Sequence, residues 1–172
     1  YKRQCHVTTT TISDAQHELA ERRVKALGLT DKITLLKEDY RNLSGEYDKL
    51  VSIEMIEAVG HEYLQTFFEK CSSLLKPSGK MLIQAITIAD SRYEKYRKGV
   101  DFIQKYIFPG GCLPSVSVMT QHLATSTDLV VQEIDDIGLH YARTLSDWNI
   151  AFENSWDELE SLGYSEEFKR LW

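Results

Sequence analysis

Cysteine, proline and positive charge are all scarce in this chain. Its three cysteines, Cys5, Cys71 and Cys112, are odd in number and form no CxxC. That usage fits a reducing compartment and excludes a cysteine-rich metal site. Lys and Arg total 20 against 26 Asp and Glu, a formal charge of −6, whereas a nucleic-acid binder normally presents a basic face. The same balance offers no global attraction to an anionic bilayer, so membrane contact would need a local patch. No apolar run is long enough to span a bilayer. Repeats, low-complexity tracts and linkers are absent. No signal peptide is visible, but Tyr1 is not an initiator residue, and the chain reads as cut from something longer.

What is present is an ordinary globular composition, 42% hydrophobic and 27% charged over 172 residues, enough for one domain with a sizeable core. The organising stretch is YDKLVSIEMIEAVGH at residues 47–61. Leu50-Val51-Ser52-Ile53 has the pattern of a fully buried parallel strand. Glu54 and Glu57 follow at its carboxyl end, where ligands sit in open α/β sheets. The plainer alternative is a surface loop whose acids cap the next helix.

Around this stretch the chain predicts strands at 7–12, 33–37, 48–53 and 80–88, and helices at 14–27 and 62–75. Residues 38–46 read as a loop, and Lys76-Pro77-Ser78-Gly79 as a turn. The order β-α-β-loop-β-α-β implies a parallel sheet. The second half predicts helices at 91–106, 115–126, 144–162 and 165–172, a strand at 129–134, and a rigid loop around Pro109-Gly110-Gly111 and Pro114. A doubly wound sheet normally opens with a central strand and a glycine-rich turn that cradles the ligand. That strand is expected before Val7, and a closing strand after Trp172.

Four stretches together, residues 33–64, SLLKPSGKMLIQAITI, YIFPGGCLPS and HYARTLSDWNIAF, resemble the cyclopropane-fatty-acyl-phospholipid synthases and the related mycolic-acid cyclopropane synthases. The likeness runs from about Val7 to Trp172. YIFPGGCLPS and EMIEAVGHEY are its specific parts. The resemblance implies a Rossmann-like class I methyltransferase, an α/β fold with a mostly parallel sheet and extra helices over an acyl pocket. Residues 7–88 would form the cofactor-side half, and 89–172 the substrate-side helices plus one strand. The glycine-rich motif and an upstream active-site cysteine would precede Tyr1.

The implied cofactor is S-adenosylmethionine. Thr11 and Gln16 match positions that contact its ribose or amino-acid moiety, Asp39 and Tyr40 those that receive and stack on the adenine, and Ile53 completes the set. For each, the residues alone also allow a solvated or core role, with Arg41 able to pair with Asp39. Glu57, Gln84, the backbone of Ile86, and Tyr141 match the ligands of a bicarbonate ion. The resemblance gives that ion the task of deprotonating the carbocation left when a methyl group adds to a cis double bond. Many family members have histidine where this chain has Gln84. An amide positions but does not take a proton near neutral pH, so ring closure and simple methylation both stay open. His61 and His140 have no carboxylate spaced for a triad. The three cysteines read as core residues.

The implied substrate is an unsaturated phospholipid, met in the cytoplasm or peripherally at the inner face of the membrane. Nucleic acid is not expected as a partner, and a homodimer is allowed. The segment from Arg92 to Lys105 interleaves basic and aromatic residues, as an interfacial element would. An N-methyltransferase of a small amine and a non-catalytic lipid- or partner-binding module are the alternative functions.

Overall fold

The computed structural model describes residues 5–172. Its element order is β1 (Val7–Thr10), α1 (Asp14–Ala26), β2 (Ile33–Leu36), β3 (Tyr47–Ile53), α2 (Leu64–Ser73), β4 (Leu75–Gln84), α3 (Asp90–Tyr96), α4 (Phe102–Tyr106), α5 (Val116–Ser126), α6 (Gly138–Asn154), α7 (Trp156–Ser161) and α8 (Glu166–Leu171). Short 3-10 turns occupy Tyr40–Asn42, Ile56–Ala58 and His61–Tyr63. The strands pair in parallel, β1 with β2 from Val7↔Ile33 to Thr10↔Leu36, and β3 with β4 from Lys49↔Lys80 to Ile53↔Gln84.

The β-branched VTTT run favours β1. Ser13 ends it by accepting the Gln16 N–H and capping α1. Lys37, just past β2, pairs with Asp14 in the first turn of α1.

The core lies under the β3–β4 pair. Ile56, Leu64, Phe67, Phe68 and Cys71 are buried there, backed by Leu50, Met81, Ile83, Met119 and Leu123. Amphipathic α2 supplies four of the five buried residues, and α5 packs across it. The Phe67 and Phe68 rings meet edge to face at 5.3 Å, a geometry that adds to the area they bury.

Several sequence expectations are corrected. The Leu50–Ile53 run is not buried on both faces: Ser52 is 8% exposed, whereas Val51 and Ile53 are 64% and 53% exposed. A strand's side chains alternate, and among the described residues only the face toward α2 is covered. The Lys76–Gly79 segment does not precede β4 but lies inside it. Between Tyr47↔Leu75 and Lys49↔Lys80 the strands change register, and the surplus residues bulge from β4. Gly79 is needed at that bulge, because a Cβ there would come within 2.9 Å of both the Leu75 side chain and the Lys76 carbonyl. The strand ends at Gln84 and does not run on to Ile88.

The helix expected over 91–106 is two helices, because Gly99 weakens the middle and Asp101 starts α4 with a reciprocal capping box to Gln104. Residues 129–134 form no strand, so the second half has none among the described residues. Alternation describes two faces, but a strand also needs a pairing partner. The last long helix starts earlier, at Gly138, and breaks at Ser155. That break lets Trp156 bury to 6% exposure while Trp148 stays 60% exposed, so the two do not share one apolar face.

Phe68 is fully buried at the centre of this core. We expect Phe68→Ala to destabilise the fold by about 3–5 kcal/mol, read as a lower urea midpoint at unchanged slope.

Candidate functional site

Apart from Gln16, in the first turn of α1, the residues the sequence singled out for the first half lie just past, or at, the carboxyl end of a parallel strand, where such sheets bind ligands. Thr11 follows β1, Asp39 and Tyr40 follow β2, Ile53 ends β3 with Glu54 and Glu57 beyond it, and Gln84 ends β4 with Ile86 beyond it. Tyr141 comes from the first turn of α6.

Thr11 and Gln16 are brought together. The Thr11 hydroxyl donates to Gln16 Oε1 at 2.8 Å and accepts from the Ser13 N–H at 3.1 Å. Both line a shallow recess of about 210 Å³ with Thr9, Thr10 and Leu36. Hydroxyl and amide groups around an open recess suit a polyhydroxylated ligand.

Asp39 caps the Tyr40–Asn42 turn and takes three bonds from Arg41: the backbone N–H at 2.9 Å, Nε at 2.9 Å and Nη2 at 2.7 Å. These bonds hold its carboxyl well below the ordinary range, at about 2, so it is an acceptor at neutral pH. The pairing with Arg41 that the sequence allowed is therefore formed, and the carboxylate retains further lone pairs. Tyr40 is partly buried, its ring edge-on to Phe67 at 5.6 Å, and burial raises its phenol. It thus props the turn against the core.

The second cluster sits past β3 and β4. Glu57, in the Ile56–Ala58 turn, accepts the Ile86 N–H on Oε1 at 2.5 Å. Its Oε2 is buried and has no hydrogen-bond partner among the described residues. The Cys112 N–H donates to the Glu57 carbonyl at 2.7 Å, so the PGGC loop clamps this turn. Gln84 Nε2 donates to Glu54 Oε1 at 2.9 Å. The Tyr141 phenol is pushed up, first by burial and then by the charges of Glu54 and Glu57. It stays a hydrogen-bond donor across the neutral range.

Sequence reasoning noted Glu54 but left it out of the site. Its signal was there: two acids flanking the end of a buried strand. The structure adds a backbone φ of +47°, the one positive value at a non-glycine among the described residues, a conformation disfavoured for L-residues and concentrated at functional positions.

His61 Nδ1 is 2.6 Å from the buried Tyr93 hydroxyl, and His140 is exposed. Burial pushes the Cys71 thiol up to about 12, which leaves it inert. No group of three His, Cys, Asp or Glu among the described residues is placed to hold a metal.

Because Arg41 depresses the Asp39 pKa, the native pairing favours the charged form above the unfolded value of 3.8 and is lost as pH falls through about 2. A carboxyl NMR titration should find the Asp39 midpoint near 2, returning toward 3.8 in Arg41→Ala.

The chain matches the family model described as mycolic acid cyclopropane synthetase over residues 1–172. It is 39% identical over 170 residues to tuberculostearic acid methyltransferase UfaA1 of Mycobacterium tuberculosis, covering 99% of this chain and 40% of that protein. It is 36% identical over 166 residues to cyclopropane-fatty-acyl-phospholipid synthase of Escherichia coli, covering 96% and 40%. The chain thus spans about 40% of the length of these relatives. The crystal structure of mycolic acid cyclopropane synthase CmaA1 complexed with SAH and CTAB superposes with a TM-score of 0.84 at 26% identity, over 96% of this chain and 61% of that one. The fold is that of the class I S-adenosylmethionine-dependent methyltransferases, and this chain belongs to the mycolic acid cyclopropane synthetase family.

Proposed function

We propose that the protein transfers a one-carbon unit from S-adenosylmethionine to a cis double bond in the acyl chain of an unsaturated phospholipid. The observation that carries this reading is the Glu57 carboxylate, with one oxygen buried and unpartnered, at the same strand ends as the Thr11–Gln16 and Asp39–Tyr40 groups. A buried acceptor left without a donor is costly in a fold that does nothing with it.

S-adenosylmethionine, when bound, supplies an electrophilic methyl group. Thr11 and Gln16 would hold its ribose or amino-acid end, Asp39 would accept from the adenine amino group, Tyr40 would back the base, and Ile53 would line the cleft at the end of β3. As the methyl carbon bonds to one alkene carbon, positive charge develops on the other. Glu57 would offset that charge, and the Tyr141 phenol, raised by burial, would remain a donor.

Access from a bilayer fits α4 and the loop after it. Phe102, Ile103, Tyr106 and Phe108 are each at least half exposed, and Lys105 sits over the Tyr106 ring at 4.9 Å. Gln104 Nε2 donates to the Gly111 carbonyl at 2.9 Å, tying this surface to the loop that clamps Glu57. Aromatic and basic groups together suit peripheral contact with lipid headgroups. No helix among the described residues is long and apolar enough to cross a membrane. The fatty-acid and phospholipid names of the two curated relatives support a lipid acceptor over a small amine.

The full-length protein, given methyl-labelled S-adenosylmethionine and unsaturated phospholipid vesicles, should place label on the lipid with loss of its double bond. Opening of a strained ring separates cyclopropane from methyl branch. Glu57→Gln should lower kcat by about 10²–10³-fold with KM for S-adenosylmethionine little changed. Label on small amines, with none on lipid, would overturn the reading.

A further inference from the structure

Four consecutive residues of the loop after α4 bond to four different segments. The Gly111 carbonyl accepts from Gln104 Nε2 in α4 at 2.9 Å. Cys112 gives its N–H to the Glu57 carbonyl at 2.7 Å. The Leu113 N–H reaches the Tyr96 hydroxyl of α3 at 3.2 Å, and the Pro114 carbonyl accepts from Ile88, past β4, at 3.0 Å. Supporting bonds of this kind hold a functional side chain in one geometry.

Gln104 also belongs to an outward-facing surface. Its Oε1 accepts the Asp101 N–H at 2.9 Å and closes the capping box, so one amide both starts α4 and grips the loop. Around it Phe102, Ile103, Tyr106 and Phe108 are each at least half exposed. The stretch from Arg92 to Lys105 carries five basic residues against two acidic ones, although the whole chain has a formal charge of −6. Exposed rings and local positive charge on a negative protein match a bilayer with anionic headgroups.

We propose that Gln104 is a positioning residue that couples the aromatic edge of α4, seated on an anionic phospholipid surface, to the carboxylate of Glu57. The inference rests on the lipid reading above and on the role given there to Glu57. Gln104 touches neither substrate nor cofactor in this scheme and acts through Gly111 and Cys112. Docking at α4 steadies the loop, and the loop holds the Glu57 carbonyl. The Ile86 N–H, at 2.5 Å, holds the carboxylate. Glu57 is thereby fixed at both its backbone and its side chain, and a misplacement of about 1 Å in such a group costs up to ~10²-fold in rate.

Gln104→Glu isolates the coupling. Glutamate also closes a capping box at this position, so α4 keeps its start, but a carboxylate cannot donate to the Gly111 carbonyl. The full-length variant should sediment with vesicles of unsaturated phosphatidylglycerol as wild type does and keep the wild-type thermal midpoint. Its kcat for lipid methylation should fall by about 10–10²-fold, with KM for lipid and for S-adenosylmethionine little changed. Phe102→Ser combined with Tyr106→Ser should show its loss in vesicle binding and KM for lipid instead. A residue that only packs would lower the thermal midpoint and move kcat and KM together. Amide hydrogen exchange adds a readout without turnover: the vesicles should slow exchange at Cys112 in wild type and leave it unchanged in Gln104→Glu. An unchanged kcat in Gln104→Glu overturns the proposal, as does an absence of vesicle-induced slowing in wild type or equal slowing in both proteins. Failure of the lipid reading looks different: wild type then labels no lipid, while exchange at Cys112 still shows whether α4 and the Glu57 turn are coupled.

Discussion

The site depends on how α2 packs beneath the β3–β4 pair. Leu64, Phe67, Phe68 and Cys71 are buried on one side of that helix and press on Leu50, Met81 and Ile83 from the two strands. Since β3 leads through the Ile56–Ala58 turn into α2, and α2 leads directly into β4, this contact fixes where both strands end. Ile56, at 0% exposure, anchors the turn itself, so Glu57 beside it cannot drift. The position of the Glu57 turn is thus set by a hydrophobic constraint. Most of the helix's stability comes from that packed face, not from propensity over ten residues.

Around this core the polar contacts form a connected set. The Glu57 side chain bonds the backbone past β4, and its carbonyl receives the loop that carries Cys112. That loop bonds back to α4 through Gln104 and, at Leu113, to the Tyr96 hydroxyl at 3.2 Å. A surface rich in exposed aromatic residues is therefore mechanically linked to the carboxylate site.

The half that carries β1, α1 and β2 is differently made. The β1–β2 pair is short, and its helix α1 buries no residue fully. What holds it are the Ser13 cap, the parallel ladder and the bond from the Thr10 hydroxyl to the Glu38 carbonyl. Polar, open strand ends of this kind suit a ligand that is itself largely polar.

Much was legible in the sequence because it follows from local periodicity and turn chemistry. The four parallel strands, the helices α1, α2 and α5, and the placement of Thr11, Asp39 and Glu57 at strand ends all come from apolar runs broken by capping residues, whereas Gln84 was expected inside a strand and instead ends one. Tertiary structure alone decided the rest. The one-sided burial of Val51 and Ile53, the bulge at Gly79, the missing strand at 129–134 and the break at Ser155 depend on which neighbour covers a face or completes a ladder. Glu54 is the clearest case. Its identity and position were plain, but its +47° backbone and its bond to a residue thirty positions away were not, because long-range pairing of that kind leaves no periodic trace in the chain.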